Sequence, residues 1–316
     1  MSLHKRIHRF LSKGVDSIFT SRRLAIDLGE TRIKLILLEK KFKKIKVVRI
    51  RIIDLHEEGL ISADEWTPHL QKILEEFEGV PIALAVHQHF SISQVIDLPS
   101  EDQRNPEEQI EAKTLSLTGL SEGRIVYGYK RLKPFGKYRN PYWVTAARED
   151  DVYKLVNRLT VYKNDICEIA SESNALIAAF LASHSYTTYA VLAEIGSTCT
   201  TVVIIYLNQG TFASVFPIGG ETLTEAIAKE NNCSFDEAEI IKHKESPANR
   251  IEHSEQFEAV TVHWIHELEN VVREWNDEIS DSTTPFPTPT VYLSGGGSQQ
   301  PGLPEFLETH SNHRFK

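Results

Sequence analysis

The chain has 316 residues, 41% hydrophobic and 25% charged, with three cysteines and a formal net charge of −9; this fits a folded protein of about two domains and excludes collagen, coiled coil and bulk disorder. No apolar run approaches the roughly 20 residues that span a bilayer, the basic N-terminus lacks a signal peptide's apolar stretch and cleavage site, and Cys167, Cys199 and Cys233 are too far apart for a disulfide framework or a zinc site, so a cytoplasmic protein is expected. Residues 1–51 hold fifteen basic and four acidic side chains against 20 and 40 in the remainder, which points that end at a polyanion or an anionic membrane.

Leu3, Ile7, Phe10, Leu11, Val15, Ile18 and Phe19 fall on one side of a 3.6-residue period, with Lys5, Arg6, Arg9 and Lys13 on the other. That pattern predicts a basic amphipathic helix in a leader of residues 1–23. A strand Leu24–Leu28, the turn Gly29-Glu30-Thr31, an apolar strand Ile33–Leu38, a basic turn and a strand Ile45–Ile53 follow. A helix is expected over 64–78 and a short buried strand at Pro81–Val86. The texture then changes: a strand 89–97, a polar helix near 106–118, strands 125–132 and Tyr142–Ala147, a helix 150–160, Asp165–Ala170 and an alanine-rich helix 171–183.

The pattern then restarts with Tyr189–Ile195, a turn at Gly196-Ser197-Thr198, Thr200–Tyr206, a hairpin turn at Asn208-Gln209-Gly210 and Thr211–Pro217. Helices follow, one opened by the capping-box pair Ser234 and Glu237 and a long one over about 255–279. The Pro/Thr-rich segment Thr283–Pro289 reads as a loop before Val291–Leu293 and the run Ser294-Gly295-Gly296-Gly297.

The restart is a repeat. Asp27 and Glu194, Gly29 and Gly196, and Thr31 and Thr198 are each 167 positions apart. A duplicated strand, acid, glycine turn and strand implies two similar domains facing a cleft. Glycine lets the amides of a tight turn approach phosphate oxygens, hydroxyls at Thr31, Ser197 and Thr198 add donors, and an acid at a strand end suits Mg²⁺. The pair Gly219-Gly220, before a helix N-terminus near Thr222 that favours an anion, and the triplet Gly295–Gly297 add further turns where a nucleoside can lie.

These motifs, in this order, resemble the actin/Hsp70/sugar-kinase ATPase superfamily, and within it most nearly the PilM family of type IV pilus assembly proteins, relatives of the division protein FtsA. The likeness rests on Leu24–Leu35, Glu172-Ser173-Asn174-Ala175-Leu176, Pro217–Ala228, Leu293–Gly297 and Pro301-Gly302-Leu303, and spans about residues 24–307. It implies an α/β protein of duplicated actin-like (ribonuclease H-like) domains flanking a nucleotide cleft, with an FtsA/PilM-type inserted subdomain. The first domain would cover 24–188, with the insert at about 82–147, and the second 189–316, with a helical subdomain at about 222–282.

The resemblance further implies ATP and Mg²⁺ as ligands: Asp27 and Glu194 facing the metal; Gly29, Thr31, Gly196, Ser197 and Thr198 on the phosphates; Gly219, Gly220, Glu221, Gly295, Gly296 and Gly297 around ribose and base. Lys34 either approaches the phosphates or leaves its strand for solvent, and Glu172 either orients a water or begins its helix. It also implies a PilN-like bitopic membrane protein as partner, binding by a short cytoplasmic tail beside the inserted subdomain, and a place under the inner membrane. The leader (residues 1–20) is a second membrane contact or docks on the protein's own surface; self-association stays open, and nucleic acid is not expected.

Three departures from the family pattern bear on activity: Glu194 stands where Asp is usual, Glu30 puts a carboxylate in the phosphate turn, and little chain follows the last glycine turn for a further strand. ATPase activity is expected to be weak or absent. A small-molecule kinase, a nucleotide-free pseudo-ATPase scaffold and an FtsA-like division protein stay as alternatives. His263 and His266, with Glu267 and Glu269 nearby, read as a solvated helix face, His87 and His89 as ordinary residues sharing a strand face, and the run Lys40–Lys46 as an exposed hairpin tip.

Overall fold

The computed structural model describes residues 21–42, 44–60, 62–99, 106–118, 124–159, 164–244, 246, 255–279 and 287–316. The leader 1–20 and residues 283–286 of the expected loop lie outside them. The described residues form two compact units, one within 1–131 and 142–175, the other within 132–141 and 176–316.

The first unit opens with β1 (Ser21–Leu28), β2 (Arg32–Lys41) and β3 (Lys44–Asp54), an antiparallel meander. Helix α1 (Ala63–Leu74) begins at a capping box, the Ser62 amide donating to Glu65 Oε2 at 2.7 Å. It turns Leu70, Ile73 and Leu74 onto the sheet, where they pack with Leu24, Ile26, Ile33, Leu35 and Leu37. β4 (Ile82–Val86) pairs parallel with β1. Then come β5 (Ser91–Asp97), α2 (Pro106–Thr118), β6 (Ile125–Arg131), β7 (Pro141–Arg148), α3 (Glu149–Leu159) and β8 (Ile166–Ser171). The main sheet runs β3-β2-β1-β4-β8, and β5-β7-β6 form a second, smaller one.

Ile82–Val86, counted above with the insert, therefore belongs to the main sheet, and the smaller sheet starts at Ser91. A five-residue apolar run reads alike in either place; only its parallel partners β1 and β8 tell them apart. The small sheet has its own core of Ile96, Ile110, Ile125, Tyr127, Tyr142 and Val144.

Helix α4 (Glu172–Ser183) leads into the second unit, with β9 (Tyr189–Ile195), β10 (Thr200–Tyr206), β11 (Gln209–Phe216), α5 (Gly220–Asn231), α6 (Phe235–Lys244), α7 (Glu255–Ile279), β12 (Thr290–Ser294), α8 (Leu303–His310) and β13 (Arg314–Phe315). β10 and β11 join through Leu207 and Asn208, both at positive φ (50° and 62°), the two-residue turn that matches strand twist. The sheet order is β11-β10-β9-β12-β13: three antiparallel strands, then two parallel ones, the same plan as the first. β13 is a strand that the sequence left little room for; two residues suffice because they pair beside the C-terminal helix.

Two segments sit elsewhere than the sequence suggested. Phe180 of α4 packs with Ala190, Leu192, Val203 and Ile205, so most of that helix belongs to the second unit. Leu132–Pro141 also joins the second unit. The Gln209 side chain bonds both backbone groups of Lys133, accepting from the amide at 3.0 Å and donating to the carbonyl at 2.9 Å, as a neighbouring strand would. The rings of Phe135 and Tyr138 lie 5.1 Å apart, tilted by 46°, and Tyr138 donates to Glu278 of α7.

Candidate functional site

The two copies of the turn close in the same way. Gly29 N–H donates to the Arg32 carbonyl at 3.1 Å, and Gly196 N–H to the Cys199 carbonyl, the matching residue, at 2.9 Å. A Cβ on Gly29 would stand 2.8 Å from Arg32 O, and one on Gly196 3.1 Å from Cys199 O. The glycines thus serve turn closure in both copies.

In the first copy, Asp27 and Lys34 face each other across β1 and β2, and Lys34 Nζ donates to Asp27 Oδ2 at 3.0 Å. Lys34 thus pairs with the acid across the strand register. Both side chains are about two-fifths exposed, and such a pair contributes about 0–1 kcal/mol, so another cation can displace the ammonium at little cost. Arg32 is tied to Asp54 at 2.9 Å, and the Thr31 carbonyl receives the Leu55 amide. Burial raises the Asp54 pKa, but hydrogen bonds from Arg32 and from the Glu57 and His56 amides, with the Arg32 charge, hold it below the usual carboxylate value.

Glu172 is the first residue of α4, and its Oε2 lies 3.6 Å from His87 Nε2. His87 precedes a short 3₁₀ turn, Gln88–Phe90, and His89 lies within it, so they share no strand face; their rings are 4.8 Å apart, and His89 lies 3.9 Å from Glu30. His263 and His266 lie on an exposed face of α7 beside Glu267.

In the second copy the register sets Glu194 between Thr201 of β10 and Ser294 of β12. The hydroxyls of both neighbours are buried, with no hydrogen-bond partner among the described residues. The surrounding glycines permit close backbone packing. A Cβ on Gly219 would stand 2.4 Å from Ser197 O, one on Gly295 2.3 Å from Ile195 O and 2.7 Å from Glu194 Oε1, and one on Gly297 2.4 Å from Ile195 Cγ2. The Gly220 and Glu221 amides donate to the Gly196 and Ser197 carbonyls, each at 2.8 Å. This start of α5 braces the turn, and those two amides are engaged there.

A buried lysine escaped the sequence reading. Lys242 of α6 brings Nζ to Gly220 O (3.1 Å), Thr224 Oγ1 (2.7 Å) and Glu239 Oε2 (2.6 Å). Its signal was its place four residues after Ala238, on the inward stripe of α6. Burial raises the Glu239 pKa, but hydrogen bonds from Lys242 and Thr224 bring it below the ordinary value.

The family model for type IV pilus assembly protein PilM matches residues 25–315. The chain belongs to the PilM family. No curated protein sequence matches it. Among solved structures, a chain of a PilM–PilN type IV pilus biogenesis complex resembles this one with a TM-score of 0.73 and 19% identity over 93% of this chain and 87% of that one. MreB 5 of Spiroplasma citri bound to AMPPNP follows at 0.52 and 12%, over 94% and 91%. A Bacteroides thetaiotaomicron protein of actin-like ATPase fold scores 0.51 at 12%, over 93% and 90%. These similarities establish the actin-like fold, which the two matched sheets carry.

For Mg²⁺ with a polyphosphate, the residues of this PilM-family chain fit. The ion takes carboxylate, water and phosphate oxygens, and Glu194 stands between two hydroxyls that have no hydrogen bond among the described residues. Asp27 offers a carboxylate whose cation is exchangeable.

Proposed function

We propose that this PilM-family chain is an actin-like assembly protein of a type IV pilus platform, that it binds ATP·Mg²⁺ through its duplicated turns, and that it receives the cytoplasmic tail of a PilN-like bitopic membrane protein. The observation that carries the nucleotide reading is the duplication: two sheets of one plan, each presenting an acid and a glycine turn closed by the same hydrogen bond. Bound Mg²⁺ would neutralise phosphate charge, with Asp27 in one turn and Glu194 in the other each a candidate carboxylate for it; Thr31, Ser197 and Thr198 would donate to phosphate oxygens. Nucleotide state would bias partner affinity rather than drive rapid turnover.

The tail would lie beside the small sheet. That sheet is fastened to its own unit by side chains at the start of α4: Ser173 Oγ lies 2.8 Å from Ser93 Oγ, and Trp143 Nε1 donates to Asn174 at 2.7 Å. Among the described residues no helix is long and apolar enough to cross a membrane, so a peripheral place at the inner membrane would come through the partner, with residues 1–20 as a second contact.

Calorimetric titration of ATP with Mg²⁺ and with EDTA tests the nucleotide reading, with Asp27→Ala as comparison. Mg²⁺-dependent binding that Asp27→Ala weakens at least tenfold supports it. The Asp27–Lys34 ion pair favours a second reading, a nucleotide-free scaffold, and absence of Mg²⁺-dependent binding in the wild type would establish that one. Binding of a PilN N-terminal peptide, measured in parallel, tests the partner separately.

A further inference from the structure

The first sheet ends at β3, and among the described residues no strand pairs with its outer edge. Residues 44–50 of this strand are all exposed. In an uninterrupted strand, Lys44, Lys46, Val48, Ile50 and Ile52 would share one face. A bulge changes that: Leu38 pairs with Val47 and Leu37 with Arg49, leaving Val48 as the extra residue.

The face shared with buried Leu35 and Leu37 then carries Lys44, Lys46, Arg49 and Arg51. The opposite face carries Ile45, Val47, Ile50 and Ile52, which are 68%, 50%, 60% and 58% exposed. Arg49 and Arg51 both donate to Glu76, at 2.8 and 2.9 Å, which fixes one end of the basic face. The result is one strand with four cations on one side, four aliphatic side chains on the other, and an open hydrogen-bonding edge between them.

Long apolar edges of this kind are ordinarily shortened, charged on both faces or covered. A flat lipid surface meets one face at a time, and open strand edges are disfavoured in lipid. A second copy pairing β3 with β3 would set cations beside cations, which is destabilising for directly opposed charges. An added strand with acidic residues on one face and aliphatic ones on the other satisfies the edge and both faces together.

We propose that the outer edge of β3 is a strand-addition site for a partner segment of extended, alternating acidic and aliphatic sequence. This goes beyond the nucleotide and tail readings and depends on neither. The probe is a fluorescein-labelled (Glu-Val)₄ peptide, titrated against the full chain by anisotropy beside (Lys-Val)₄. The expected result is saturable binding at least tenfold tighter for the acidic peptide, with added amide-exchange protection over 44–52. K44E/K46E and I50K/I52K, both pairs on exposed positions, should each weaken it at least tenfold with unchanged melting curves. Three outcomes overturn the proposal: no saturable binding of the acidic peptide; dimerisation in sedimentation velocity that I50K/I52K abolishes, which assigns the face to a second copy; or co-sedimentation with phosphatidylglycerol-containing vesicles that both variant pairs abolish while peptide binding survives, which assigns it to lipid.

Discussion

At the residue scale, the glycines divide by what they make room for. Gly219 packs against the Ser197 carbonyl so closely that a Cβ would overlap it. Gly219→Ala should cost about 1–3 kcal/mol as overpacking, read as a drop in melting temperature of about 2–4 °C per kcal/mol. Lys242 is the other decisive residue. Lys242→Met removes one donor each from Gly220 O, Thr224 and Glu239, while the Thr224 hydroxyl still reaches Gly220 O and Glu239; the loss should cost about 1–3 kcal/mol, and urea unfolding checks it. Glu239 adds a pH dependence. Its folded pKa lies below the ordinary 4.5, so its contribution is present above that pH and is lost as pH falls through the folded value. Glu239→Gln should flatten the acid limb of stability measured between pH 6 and 3. Asp27 and Glu194 were legible as acids from the repeat. That Lys34 holds Asp27 was not, because a lysine leaving a strand reads the same whether it meets solvent or a carboxylate across the register.

At the scale of elements, the strands and long helices were largely legible: β9, β10 and α7 have the bounds that apolar runs and periodicity indicated. Assignment to a unit was not. The helix α4 is apolar nearly all round, so its pattern does not say which sheet it covers. The segment Leu132–Pro141 follows a strand of the small sheet, yet its anchor is the side chain of Gln209, 76 positions away. Gln209→Ala removes both bonds to exposed Lys133, each with a net worth of about 0.5–1.5 kcal/mol. Hydrogen exchange should then quicken over 132–141 with little change in β9 and β10; uniform quickening across the unit would contradict this assignment. In β3, one extra residue at the bulge turns a mixed strand into one with sorted faces.

At the scale of the whole molecule, the nucleotide reading predicts that both turns contribute. Asp27→Asn and Glu194→Gln should each weaken Mg²⁺-dependent ATP binding about tenfold, near 1.4 kcal/mol. Equilibrium dialysis would show it; unchanged Mg²⁺-dependent binding in either variant would remove that carboxylate from the reading. The sequence by itself determined the duplication, since an acid, a glycine and a hydroxyl recurring at a fixed offset record a repeated unit, and with it the actin-like plan and the PilM family. It determined the turns too, because a closed turn of this kind leaves little room for a side chain. The tertiary structure alone decided what those groups meet: the ammonium on Asp27, the unengaged hydroxyls beside Glu194, the buried Lys242 and the edge of β3. Each depends on strand register or on a contact between distant segments, and one-dimensional patterning carries neither.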